Sequence, residues 1–420
     1  MYGTRMLATI LSTAAACTGT CLAQEQPSAS KLTTLFTFAG LAPTGEMVHD
    51  ATGAIYGAAV GGEDESGAVV EMAPPTARGG EWAESVIHSF GPLPDGSDPS
   101  STGLVFDNSG RLYGTTFSGG NSAFGNLGTV FQLTPPAVAG TPWTETVIYN
   151  FAGGTDGANP MSQLVFGKNG SLYGTTFNGG GTVCQGEGCG TVFALEPPTA
   201  EGAGWTEKIL YAFAESGYDG PGPYGTLLLG KNDVLYGITE GRETGGGGYV
   251  FQVTPPQEGV GEWTEAVLGE VYYSGFTSDH PVGLVLGKDG SLYGATTADG
   301  DMASGSLFVL TPPTSSGGAW TQTVLYSFGA AGDGSFPSAL VLGTNGTLYG
   351  TTAGGGANGF GTIYRMAPPI GAGGSWYESV LYSFTGGSDG ANPADLITDG
   401  KGALYGSTNS VEGTVFQFVP

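Results

Sequence analysis

Apolar residues recur along this chain in short runs separated by polar, glycine-rich stretches, and the runs alternate as strands do. Residues 101–151 show one full cycle. Gly103-Leu104-Val105-Phe106 is a first apolar run, and Asp107-Asn108-Ser109-Gly110 is a turn. Leu112-Tyr113-Gly114-Thr115-Thr116 is a second run, and residues 129–134 form a third that stops at Pro135-Pro136. A fourth runs from Trp143 to Phe151. Each is too short for a globular helix, and β-branched and aromatic residues dominate. Four such strands in succession, joined by short connections, describe one antiparallel propeller blade.

The cycle repeats. A Leu/Ile-Tyr-Gly string recurs seven times, at Tyr56, Tyr113, Tyr173, Tyr236, Tyr293, Tyr349 and Tyr405. Every tryptophan (Trp82, Trp143, Trp205, Trp263, Trp320, Trp376) lies seven residues beyond a Pro-Pro pair. The seventh unit ends after its third strand, at Phe416-Gln417-Phe418-Val419-Pro420. The missing fourth matches Thr34-Leu35-Phe36-Thr37-Phe38 at the other end, in the pattern of Val380-Leu381-Tyr382-Ser383-Phe384. A solenoid would show capping repeats instead. The expected fold is therefore an all-β, seven-bladed propeller over residues 31–420, its ring closed by an N-terminal strand that completes the last blade. The repeated tyrosine is expected in the blade-to-blade core, and the tryptophan on the Pro-Pro segment or over the outer strand.

Composition agrees: of 420 residues, 79 are glycine and 25 proline, with 40% hydrophobic, too much for a disordered chain. The formal net charge of −26 lacks the basic footprint of a nucleic-acid partner and disfavours anionic membrane surfaces. Residues 1–23 read as an export signal, with a short apolar stretch and cleavage after Ala23, followed by a linker over 24–30. The expected location is extracellular or periplasmic, with no membrane span. Cys184 and Cys189 then remain, and a local disulfide is the simplest reading in an oxidising compartment.

Asp156-Gly157-Ala158-Asn159-Pro160, Ser171-Leu172-Tyr173-Gly174-Thr175-Thr176, Gly190-Thr191-Val192-Phe193 and Leu325-Tyr326-Ser327-Phe328 resemble the GloVer-type tandem repeat of bacterial secreted proteins, over nearly the whole mature chain. The resemblance implies a secreted repeat protein with no established activity. Some members carry C-terminal surface anchors; this chain ends inside its last blade, and none is expected. The hairpin over 107–116 is also similar to inner hairpins of lactonase-like and NHL-type propellers, which bears on fold alone.

Positions present in every blade serve the scaffold, so function is sought where blades differ. Second-to-third connections vary in length and, in a propeller, share a face with the fourth-to-first connections; that face is the expected binding face. Its candidates are Asp95, Asp156, Asp219, Asp333 and Asp389, each four residues before a proline, with Tyr218, Tyr224, Phe276 and Phe336. Aspartates there suit a cation, such as calcium, or sugar hydroxyls; the Asp-Gly pair suits a turn equally. Blade 5 departs with Asp279-His280-Pro281, beside Tyr272 and Tyr273. His49 and His88 are expected to pack. The acidic Glu63-Asp64-Glu65 cluster and the Asp299, Asp301 pair lack calcium-loop spacing. The leading expectation is a secreted non-catalytic protein binding a glycan, a cation or a cell-envelope component. The alternative is a hydrolase or lyase with an acid–base pair at Asp279 and His280.

Overall fold

Each short apolar run becomes a strand, and the strands of the described residues assemble into seven antiparallel blade sheets in the computed structural model, with a small separate pair of Gly96–Ser97 and Ser118–Gly119 beside blade 2. It describes the chain from residue 31 to 420 apart from 39–42, 44, 60–65, 78, 100–102, 139, 182–183, 185, 201, 215–221, 241–247, 258–259, 271–280, 299, 301, 316, 370, 372–373 and 411–412. Residues 1–23, expected as an export signal, and the expected linker over 24–30 therefore lie outside the described residues.

Blade 2 follows the cycle read from sequence: Val105–Phe106, Leu112–Thr116, Thr129–Thr134 and Thr144–Asn150, paired in that order. Blade 1 holds Val48–His49, Ile55–Ala59, Ala68–Ala73 and Ala83–Ser89. Blades 3 to 6 repeat the plan, the first strand of blade 3 being split into Gly157–Pro160 and Val165–Phe166. Blade 7 is built from both ends of the chain. Ile397–Thr398, Leu404–Ser407 and Thr414–Val419 are completed by Lys31–Thr37, with Lys31 opposite Val419 and Thr37 opposite Thr414.

The core lies between blades, in seven clusters. Two aromatic pairs recur at these interfaces. Near one face, a phenylalanine ending a fourth strand meets a third-strand ring of the next blade edge-on. Phe90–Phe131 and Phe151–Phe193 have centroids 5.2 Å apart. Near the other face, the repeated tyrosine meets the tryptophan of the following blade: Tyr56–Trp143 at 6.0 Å, Tyr113–Trp205 at 6.1 Å, Tyr293–Trp376 at 5.7 Å. The tryptophan thus braces the blade interface. Edge-to-face pairs add ~0.5–1.5 kcal/mol each beyond area burial. Blade 7 carries no tryptophan; Leu32 of the N-terminal strand packs in the cluster that holds Tyr349.

The glycine of Leu-Tyr-Gly has a steric cause. A Cβ on Gly114 would sit 2.5 Å from the Phe131 ring, and one on Gly174 would sit 2.5 Å from the Phe193 ring. Two of the repeated tyrosines donate their hydroxyls to third-strand side chains: Tyr56 to Glu71 at 3.0 Å and Tyr113 to Gln132 at 2.9 Å. Cys184 and Cys189 form a buried disulfide within the second-to-third connection of blade 3.

Candidate functional site

The variable loops and the aspartate loops do share one face. The N–H groups of Gly120 and Gly180, in second-to-third loops, donate to the main-chain carbonyls of Asp95 and Asp156 at 2.8 Å, and Gly356 donates to Asp333. The carboxylates work inward. Asp156 accepts the Tyr149 hydroxyl at 3.1 Å, the Ala152 N–H at 2.8 Å and the Gly157 N–H at 2.7 Å. Asp333 accepts Tyr326, Gly329 and Gly334 in the same way at 2.9, 3.2 and 2.7 Å. Asp389 accepts Tyr382 at 2.9 Å and the Thr385 N–H at 2.8 Å. Burial alone would raise the Asp389 carboxyl, but the Thr385 and Tyr382 donors outweigh it and hold the pKa below the usual value. In blade 1 His88 stands in the tyrosine slot, edge-on to Phe90 and 3.6 Å from Asp95. These four aspartates fasten fourth strand, turn and loop together.

Three of them, Asp95, Asp156 and Asp333, also face a glutamate on the next blade. Burial first, and the Asp156 charge second, push Glu207 up to about 7. Burial and Asp333 do the same to Glu378, and burial and Asp95 raise Glu145. One carboxyl oxygen of each of these three glutamates is buried without a hydrogen-bond partner.

The residue before the loop proline takes a left-handed backbone in blade after blade. Asp98, Asn159 and Asn392 have φ of 59°, 56° and 53°, and Gly222 has φ 68°. Their N–H groups reach back to the preceding blade: Asn159 to Leu127 at 2.7 Å, Asn392 to Phe360 at 3.0 Å. Asp, Asn and Gly tolerate this conformation. Blade 6 places Phe336 there, with φ 59° and 47% of the residue exposed. Phe360 (42%) and Phe124 (44%), in second-to-third loops, are exposed on the same face.

Tyr224, expected in a loop, belongs to the first strand of blade 4. Its hydroxyl donates to the Pro281 carbonyl at 2.6 Å and its ring packs in the core between blades 4 and 5, because the chain turns extended directly after Gly222. His49, expected to pack, is exposed, its Nε2 3.3 Å from the Thr398 carbonyl of blade 7. Tyr218, Asp219, Phe276, Asp279 and His280 lie outside the described residues, as do Tyr272, Tyr273, the 63–65 cluster, Asp299 and Asp301.

Sequence reading missed the residues on the axis. One position just before the buried apolar residue of each first strand points inward: Glu46, Gly103, Gln163, Thr226, Gly283, Ala339 and Asp395 precede Met47, Leu104, Leu164, Leu227, Leu284, Leu340 and Leu396. Thr226 of blade 4 donates to Glu46 of blade 1 at 2.9 Å, bridging the ring. Gln163 donates to the Leu104 carbonyl at 2.9 Å. Asp395, 5% exposed, accepts the N–H groups of Met47 at 2.8 Å and Leu396 at 2.7 Å. Burial, then the Glu46 charge, push Asp395 up to about 7. Burial likewise raises Glu46 against the pull of the Thr226 hydroxyl. This carboxyl pair straddles the seam where blade 7 meets blade 1.

Among the described residues, no three His, Cys, Asp or Glu side chains gather as a metal-ligand set, and no helix is long and apolar enough to cross a membrane. The disulfide points to an oxidising compartment.

The solved structures this chain is similar to share its architecture at low identity. An ulvan lyase of polysaccharide lyase family PL25 matches at 11% identity and TM-score 0.56, covering 91% of this chain and 95% of its own. The same lyase bound to a -[GlcA(1-4)Rha3S]- saccharide gives 11% and 0.55, covering 92% and 95%. A Trichoderma reesei carbohydrate-active enzyme of family AA12 gives 14% and 0.43, covering 93% and 95%. The lyase matches bear on the fold alone. No curated protein matches. The Gloeobacter/Verrucomicrobia repeat family matches over residues 42–267 and 264–420, nearly the whole propeller, and the chain belongs to that family.

Proposed function

We propose that this protein is an exported, non-catalytic binding protein whose ligand, a neutral glycan, meets the loop face around Phe336. The observation that carries this reading is the conformation of that residue. Blades 3 and 7 fill the equivalent position with Asn159 and Asn392, which adopt the left-handed backbone readily. A phenylalanine there costs ~1–2 kcal/mol, and with 47% of the residue exposed little burial offsets it. An exposed ring held under strain suits stacking against the apolar face of a sugar, and Phe360 and Phe124 extend the aromatic surface. The aspartates favour sugar over a cation, because the four described ones are occupied by their own turns. Export accords with the disulfide and with the apolar segment near the N-terminus.

A neutral-glycan array, followed by thermal-shift titration of the hits, tests the reading with the variant Phe336→Asn. The variant is expected to be more stable by ~1 kcal/mol and to lose at least tenfold in glycan affinity. Undiminished binding by the variant, or an array without hits for folded protein, would overturn it.

A further inference from the structure

The face opposite Phe336 carries the first-to-second turns and the third-to-fourth connections. There the repeated tyrosine packs against the tryptophan of the following blade at five described interfaces. One of these interfaces departs from the rest. The residue two before the repeated tyrosine is Ala54, Ser171, Val234, Ser291, Thr347 or Ala403 in six blades, and Arg111 in blade 2. The groove beside it, between blades 2 and 3, has a volume of about 640 Å³, within the ~300–1,000 Å³ usual for small-ligand sites.

The local chemistry is specific. Arg111 spends its Nε on Asp107 at 2.6 Å, and its guanidinium carbon lies 5.9 Å from the Tyr113 ring centroid. Its side chain is 43% exposed, and no bond from its two Nη groups is seen among the described residues. A second cation, Lys168, stands across the groove on the first-to-second turn of blade 3, 3.3 Å from Asp233. Trp205 and Phe166 line the wall between them, both half-buried and both edge-on to Tyr113. The arrangement pairs a planar, bidentate donor with aromatic faces. Asp107 and Asp233 take up part of the positive charge, so the groove suits one carboxylate per binding unit and not a polyphosphate. A chain of net charge −26 repels such a ligand elsewhere on its surface.

We propose that this groove binds a carboxylate-bearing saccharide, with the Arg111 Nη pair on the carboxylate and Trp205 and Phe166 against the sugar rings. The site is separate from the loop face around Phe336, and neither depends on the other.

The test is calorimetric titration of the full chain at 0.15 M salt (Debye length ~8 Å) with galacturonate, glucuronate and mannuronate oligosaccharides, each beside its neutral methyl ester. At least one acid is expected to bind tenfold or more tighter than its ester. Arg111→Gln is expected to abolish that preference, and Arg111→Lys to restore only part of it, since an ammonium lacks the fork. Phe336→Asn is expected to leave the preference intact, which separates failure here from failure of the loop-face reading. Because Arg111 is partly exposed, both variants are expected to keep the wild-type melting temperature. Equal affinity for acid and ester throughout the panel, unchanged binding by Arg111→Gln, or oligoglutamate binding as tightly as the best saccharide would each overturn the proposal.

Discussion

Replacing Glu46 by glutamine should stabilise this protein at alkaline pH and do almost nothing at acid pH. Asp395 has its pKa pushed from 3.8 to about 7 in the folded chain, by burial first and by Glu46 second. A folded-state pKa raised above the unfolded one means that the native state holds the proton more tightly. Stability from this group is therefore complete below the unfolded value and is lost as pH rises through about 7. The gap corresponds to about 4 kcal/mol, with little solvent discount for a side chain 5% exposed. Glu46 is the smaller of the two causes, so removing its charge should recover about 1–2 kcal/mol once both carboxyls would otherwise ionise. Glutamine keeps a carbonyl oxygen for the Thr226 hydroxyl. Urea unfolding followed by tryptophan fluorescence at pH 5, 6, 7 and 8 reads the effect as the midpoint difference between variant and wild type. That difference should be near zero at pH 5 and grow to pH 8. The difference is diagnostic where the wild-type curve alone is not, because Glu207 and Glu378 also titrate at about 7. A pH-independent difference would refute the coupling across the seam.

Two further outcomes follow from the architecture. Deleting residues 31–37 bares the edge of Thr414–Val419 and removes Leu32 and Leu35 from the clusters on either side of blade 7. The melting temperature should fall by ~10 °C or more, and a peptide of those residues should restore part of it; a truncated protein with unchanged melting would contradict ring closure. The double variant Cys184→Ser, Cys189→Ser should lose ~2 kcal/mol, and a reductant should lower the melting temperature of the wild type but not of the variant.

The fold was legible because its constraints repeat. Seven tyrosines, six tryptophans and a split last unit specify blades, strand order and closure without any knowledge of neighbours. The tryptophan's partner was not legible, because Tyr113 and Trp205 meet across an interface whose two sides are far apart in the chain. The axial carboxyls left no trace for a different reason. Glu46 follows Pro43 by three residues, whereas Asp395 follows Pro393 by two, and the seven axial residues share no side-chain chemistry. A position whose spacing and identity both vary gives no periodic signal. Phe336 stood out in sequence as a loop aromatic; that its backbone is left-handed could be seen only beside Asp98, Asn159 and Asn392.

The split seventh blade sets an order of events in the life of the molecule. Lys31–Thr37 leaves the ribosome before any other described strand, yet its partner, Thr414–Val419, is made last. Six blades can find their neighbours locally as the chain grows, while this early segment waits for Thr414–Val419 to be synthesised. Circularisation is thus a checkpoint on the seventh blade: a polypeptide cut short before Thr414 has an orphan strand at its start and no ring to receive it.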